Sequence, residues 1–224
     1  MAKFKRITIL NSIYEVGFIP LFYHKDVDTA CRIVEACLNG GAHAIEFTNR
    51  GDGAHLVFEQ VKYSFEKDSR LILGAGSVID AGTASLFLQL GAEFIVGPIL
   101  SEEVAYTCNL RKVAYFPGCG SVTEISQAEK LGVEICKVFP GEAVGGPSFI
   151  KSVLGPLPWS SLMPTGGVEP TTENLQMWFN AGVSCVGLGS NLIKKEDVEQ
   201  KNFSAITERT QQVIEIINLI RKKK

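Results

Sequence analysis

The chain has 224 residues, 46% hydrophobic and 21% charged, with a formal net charge of −2. That balance gives no footing for a nucleic-acid surface, which needs clustered Lys and Arg, and no apolar run reaches the roughly 18 residues of a membrane span. The N-terminal "MAKFKRITILNSIYEVGF" lacks an apolar core followed by a small-residue cleavage site, so no secretory leader is expected.

In chain order, short apolar runs alternate with helical stretches. After an N-terminal helical extension come "GFIPLFY" (17–23), "AHAIEFT" (42–48), "RLILGAG" (70–76), "EFIVGP" (93–98), "KVAYFPG" (112–118), "VEICKVF" (133–139), "SLMPTGG" (161–167) and "VSCVGLG" (183–189). Helices between them carry start and stop signals. "DVDTACRIVEACLNGG" (26–41) opens on an aspartate, "SVTEISQAEKLG" (121–132) on Ser121 or Thr123, and "TTENLQMWFNAG" (171–182) on threonine, and each closes on glycine. A charged surface stretch, "KKEDVEQKN" (194–202), precedes a last helix over 203–222, whose Ile206, Val213, Ile216, Ile217 and Ile220 read as core contacts. The final "RKKK" reads as a solvated helix end that complements the helix dipole.

Strands alternating with helices imply parallel pairing, and eight such units predict an α/β protein of the (β/α)8 TIM-barrel type, one domain over 1–224. An open doubly wound sheet is the alternative, weakened because no G-x-G-x-x-G turn follows the first strand. The six cysteines form no CxxC pair and read as buried free thiols in a reducing cytoplasm. His24, His43 and His55 lack metal-ligand spacing.

In a barrel the C-terminal ends of the strands share one mouth, so polar residues there are the candidates for chemistry. In "AIEFTNR", alternation puts Ala44, Glu46 and Thr48 on one side, with Arg50 if the chain stays extended, and Ile45 and Phe47 on the other. A plain Glu46–Arg50 ion pair is the competing reading. In "LGAGSVID", Ser77 offers a hydroxyl at a strand end, or caps the next helix. In "EICKVFP", Lys137 shares a face with Ile135 and Phe139 while Cys136 and Val138 face the helices, so the lysine points inward. An amine desolvated there, or near another cation, gives up its proton more readily and becomes a nucleophile; a buried Lys137–Glu46 pair is the competing reading. Gly166–Gly167 and Gly189–Ser190 end the last two strands, where barrel phosphate sites recur.

The ordered set "IEFTNR", "GAGSV", "GPILS", "FPGCGSVTE", "KVFPGEAVGG", "PTGGV" and "GLGSNL" resembles the class I 2-keto-3-deoxy-6-phosphogluconate (KDPG) aldolases and their 4-hydroxy-2-oxoglutarate (KHG) relatives, from about Ile19 to Leu192. The resemblance implies a homotrimeric TIM barrel that needs no metal or cofactor and acts on a phosphorylated 2-keto acid. It assigns Lys137 to the Schiff base, Glu46 to general acid/base work and Arg50 to the substrate carboxylate. Ser77 stands where the family usually has threonine, Thr165 matches a substrate-contacting threonine, and Gly166, Gly167, Gly189 and Ser190 match the phosphate turns. Thr165 leans toward the gluconate series. Asn49 replaces an often apolar residue. Two other classes stay open: a phosphosugar isomerase, epimerase or synthase with Lys137 only electrostatic, and a non-catalytic binding protein. The first predicts no covalent pyruvate adduct, the second binding without turnover.

Overall fold

The computed structural model describes residues 3–222. Helix α1 (Arg6–Val16) ends at Gly17, whose φ of 83° is a left-handed turn open to glycine at no steric cost. Strands and helices then alternate: β1 (Phe18–Phe22), α2 (Val27–Asn39), β2 (Ala44–Thr48), α3 (Ala54–Ser64), β3 (Ile72–Gly76), α4 (Ala81–Gln89), β4 (Phe94–Val96), α5 (Glu102–Leu110), β5 (Ala114–Phe116), β6 (Gly118–Cys119), α6 (Val122–Lys130), β7 (Cys136–Val138), α7 (Gly146–Leu154), β8 (Leu162–Pro164), α8 (Thr172–Ala181), β9 (Val186–Leu188), α9 (Lys195–Glu199) and α10 (Phe203–Lys222).

The helix boundaries follow their chemistry. Asp26 accepts the Thr29 N–H at 2.9 Å and opens α2. Ser121 accepts from the Glu124 N–H at 3.3 Å, while Glu124 Oε2 reaches back to the Gly120 N–H at 2.8 Å, so two free donors at the start of α6 are met by neighbouring side chains. Thr171 opens α8 and left-handed Gly182 closes it.

Every strand pairing is parallel. One sheet runs β5–β4–β3–β2–β1–β9 and a second runs β6–β7–β8. The α/β class and the parallel pairing expected from the sequence are present. The single strand expected over 112–118 is instead split into β5 and β6 at Pro117, which has no N–H to continue a ladder. At the other junction, β8 and β9 are joined by one parallel bridge, Thr165 to Gly187.

Alternation sorts the side chains into two layers. Ile45, Phe47, Cys136 and Val138 pack outward with Ala30, Ile33, Phe58, Phe87 and Trp178 beneath the helices. Ile19, Ala44, Ile72, Phe94, Ala114, Ile135, Met163 and Cys185 point inward, and Ile9, Leu10 and Ile13 of α1 pack onto them. Helix α1 thus covers the N-terminal ends of the strands. Arg6 fastens it with bonds to Val113 O and Asn109 Oδ1, both 2.7 Å, and fully buried Glu93 accepts the Lys3 N–H at 2.8 Å.

The final helix spans the expected residues, and its five predicted apolar positions are buried. The basic end differs from expectation at Arg221, a half-buried side chain that donates to Glu15 O at 2.8 Å and Ser184 O at 2.9 Å rather than standing in water. Lys223 and Lys224 of that stretch lie outside the described residues. No helix among the described residues is long and apolar enough to cross a membrane.

Candidate active site

Lys137 sits in the middle of β7, between Gly118 and Met163 in register, and is 6% exposed. Its neighbour on the inner face, Ile135, is part of the inner layer, and its Nζ lies 5.2 Å from the centre of the Phe139 ring. Glu46 sits in the middle of β2, 2% exposed, opposite Leu21 and Gly74. Neither residue takes part in an ion pair among the described residues. The competing readings of a Lys137–Glu46 or a Glu46–Arg50 pair therefore fail. Two buried charge-bearing groups without a pair are costly to hold in place, and active sites are where such cost is tolerated.

Glycines make room for the inner polar groups. A methyl group on Gly76 would lie 2.5 Å from Cδ and 2.6 Å from Cγ of Glu46, so the glutamate occupies the space that any other residue at 76 would fill. Gly187 on β9 stands in the same relation to Thr165, whose Cβ would be 3.2 Å from such a methyl. The Thr48 and Thr165 hydroxyl oxygens are buried without a hydrogen-bond partner among the described residues.

A cavity of about 590 Å3 opens over the C-terminal ends of β1, β2, β7, β8 and β9. It gathers Arg50, Thr165, Gly166, Gly167, Gly189 and Ser190 from the expected set, and Phe139, which covers Lys137, is part of its wall. Arg50 does not continue the inward side of β2. The strand ends at Thr48, and the Arg50 N–H turns back to Thr48 O at 2.9 Å, which leaves the guanidinium exposed at the rim. Ser77 follows β3 with a left-handed φ of 59° and does not line this cavity. It is not the cap of α4 either, because Asp80 takes that place by accepting the Thr83 N–H at 2.8 Å.

The two glycine turns are built to approach a ligand closely. Gly166 and Gly167 have φ of 90° and 79°, and a side chain at 167 would meet Glu142, 3.0 Å from Oε2. The Gly167 carbonyl is taken by Asn174 Nδ2 at 3.1 Å and Trp178 Nε1 at 3.4 Å, and Asn191 Nδ2 ties Val168 O to the β9 turn at 3.1 Å. The N–H groups of Gly166, Gly167, Ser190 and Asn191 donate to no backbone acceptor among the described residues. Such clustered free amides suit an anion.

Sequence reasoning missed Tyr23, His24, Asn191 and Lys195, which also line the cavity. Tyr23 ends an apolar, aromatic run and reads as core; only the order of the strands in the sheet places it beside the cavity. All six cysteines are free, with Cys31 the one that is not buried. No group of three or more His, Cys, Asp or Glu among the described residues is placed to hold a metal ion.

Comparison with known proteins adds to this geometry. Residues 9–223 match the family described as KDPG and KHG aldolase. The chain is 31% identical over 214 residues to the 2-dehydro-3-deoxy-phosphogluconate aldolase of Pseudoalteromonas atlantica, covering 96% of this chain and 97% of that one. It is 28% identical over 215 residues to the Treponema pallidum protein of the same name, covering 96% and 100%. Among solved structures it resembles the Legionella pneumophila KDPG aldolase, crystallised with pyruvate captured at low pH as a covalent carbinolamine intermediate, with a TM-score of 0.81 and 28% identity over 90% of this chain and 97% of that one.

Proposed function

We propose a mechanism from one premise: the chain belongs to the KDPG and KHG aldolase family. It is a lyase, a Schiff-base aldolase that cleaves 2-dehydro-3-deoxy-6-phosphogluconate to pyruvate and glyceraldehyde 3-phosphate. We assign 4-hydroxy-2-oxoglutarate as a second substrate, giving pyruvate and glyoxylate.

In this reading the neutral Lys137 amine attacks the C2 ketone of the substrate. The carbinolamine loses water and leaves a protonated imine conjugate to the carboxylate carbon. Glu46, through a water, removes the proton of the C4 hydroxyl. The C3–C4 bond then breaks, its electron pair passing to C3 and the imine nitrogen to form an enamine, and the aldehyde leaves. Protonation at C3 and hydrolysis of the imine return pyruvate and the free amine. Arg50 holds the carboxylate in a two-pronged contact, and Thr165 meets the substrate between the ends; Ser77, outside the cavity that Arg50 lines, keeps only the substrate-binding role that the family resemblance gives it. Gly166, Gly167, Gly189 and Ser190 hold the phosphate with backbone N–H groups, so binding energy far from the breaking bond positions it.

The observation that carries this reading is Lys137, buried on the inward face under Phe139 with no ion pair among the described residues. Incubation with pyruvate and borohydride, followed by peptide mass spectrometry, is expected to give a reduced pyruvate adduct on Lys137. Lys137→Ala is expected to fold, to form no adduct and to lose cleavage. Appreciable cleavage by that variant, or no adduct under conditions that label a known lysine aldolase, overturns the assignment.

The two sheets are read here as one closed (β/α)8 barrel forming a single domain over 1–224, with α1 as its N-terminal extension and α10 as its closing helix. The one-residue break at Pro117 and the Thr165–Gly187 bridge support that closure. A homotrimer in the cytoplasm completes the reading. Exposed Ile79, Leu86 and Ile99 offer apolar area for subunit contact, and six free thiols suit a reducing compartment.

A further inference from the structure

We infer that the Tyr23 hydroxyl binds the aldehyde half of the substrate, the atoms beyond the C3–C4 bond, and so sets preference among 2-keto acids; this rests on the mechanism proposed above. Tyr23 follows β1, which pairs with β2 on one side and β9 on the other. Arg50 follows β2, and Gly189 and Ser190 follow β9. Around the mouth, Tyr23 therefore stands between the grip on the carboxylate and the grip on the phosphate, where the middle of the substrate must pass.

The phenol is held from two sides. Its ring meets Phe47 edge-on, with centroids 5.8 Å apart at 66°. Its far end rests against the backbone of Gly51, where a methyl group would come within 2.7 Å of Cζ and closer still to the hydroxyl. Gly51 has no left-handed φ, so backbone conformation does not call for glycine there; the space taken by Tyr23 does. The hydroxyl itself makes no hydrogen bond among the described residues, and Tyr23 is part of the cavity wall. A donor fixed in position, on a residue that lines the cavity and unpaired among the described residues, is pre-ordered for a ligand hydroxyl or anionic oxygen.

The contacts proposed above leave that role open. Lys137 takes C2, Arg50 the carboxylate and Glu46 the C4 hydroxyl. The C5 hydroxyl of a six-carbon substrate has no assigned partner, and 4-hydroxy-2-oxoglutarate has a carboxylate at C5 instead.

Tyr23→Phe keeps the ring and removes only the hydroxyl. Two reactions of the same protein separate the halves of the substrate: cleavage of the six-carbon phosphorylated acid, and exchange of the pyruvate methyl protons with deuterated water, which uses Lys137, the carboxylate grip and a base that takes the C3 proton, and nothing beyond C3. The expected result is a fall of about tenfold in kcat/KM for cleavage, the size of one lost hydrogen bond, with pyruvate exchange unchanged. Gly51→Ala is expected to lower cleavage in the wild-type background and to add little to Tyr23→Phe, because both act on one hydroxyl. Unchanged cleavage in Tyr23→Phe overturns the inference. An equal fall in cleavage and exchange also overturns it, since Tyr23 would then act through Arg50. Absence of pyruvate exchange in the wild-type protein is a different failure, that of the Schiff-base mechanism itself.

Discussion

Replacing Gly76 with alanine tests whether the place of Glu46 matters to the chemistry. The new methyl would stand 2.5 Å from Glu46 Cδ and 2.6 Å from Cγ. Carbon atoms rest at about 3.5–4.0 Å, so the glutamate must withdraw by about 1 Å. Its surroundings offer little slack, because Glu46 is 2% exposed. Overfilling a packed interior costs about 1–3 kcal/mol, which for a chain of this size lowers Tm by about 2–12 °C. A shift of about 1 Å in a group that moves a proton costs about 100-fold in rate. The assay is steady-state cleavage of the phosphorylated acid with a coupled read-out of pyruvate, run beside borohydride trapping of the pyruvate adduct. Gly76→Ala is expected to lose about 100-fold in kcat and to keep adduct formation. Gly74→Ala is the control: there the methyl meets the Phe94 ring, 2.5 Å from Cζ, and presses on an apolar neighbour. A Gly76→Ala protein with kcat within twofold of wild type refutes the reasoning, as does one in which trapping and cleavage fall together.

Two further outcomes follow from titrating groups. Hydrogen bonds from the Arg70 side chain, and then from its backbone N–H, hold the Asp68 carboxyl down at about 2, below its ordinary 3.8. A carboxyl lowered on folding adds stability that is complete above its unfolded value and lost as pH falls through its folded one. Asp68→Asn is therefore expected to lower Tm by a constant amount above about pH 4, with the difference closing as pH approaches about 2; thermal melts across that range measure it, and a difference that persists at pH 2 contradicts it. Burial pushes the Cys37 and Cys185 thiols up to about 12, which suppresses the reactive thiolate. Cys31, less buried, is expected to react first with a disulfide reagent on the native protein, with Cys37 and Cys185 reacting only as the protein unfolds; peptide mapping that finds Cys185 labelled first goes against this.

Much of the site was legible because strand alternation and helix-capping residues survive in the sequence. Side-chain alternation put Ala44 and Ile135 on one face and Phe47 and Val138 on the other, and these apolar layers are those found; Glu46 and Lys137 stand two residues along from Ala44 and Ile135 on the same faces. Capping residues marked the starts of α2, α6 and α8. What was not legible depends on neighbours distant in sequence. Tyr23 looks like core until β2 and β9 are known to flank β1. Arg50 stays in line with Glu46 only if the chain remains extended, and a tight turn after Thr48 sends it to the rim instead. Gly51 and Gly76 give no local sign of their purpose, because neither has a backbone conformation that requires glycine; only the side chains lying against them reveal it. The split at Pro117 was visible in the residue itself, although the apolar run around it reads as continuous.

Helix α1 gives the molecule a floor. With Ile9, Leu10 and Ile13 pressed onto the inward side chains, nothing leaves by the N-terminal ends of the strands. In the closed barrel proposed above, the interior has its mouth at the C-terminal ends of the strands, and its contents come out in order of depth. In the mechanism proposed here pyruvate is bound at the lysine and the aldehyde lies above it, toward the phosphate turns. The aldehyde must depart first, and pyruvate, tethered below, is the last to go. Product-inhibition kinetics report that sequence directly, with pyruvate expected to compete with the substrate for the empty enzyme.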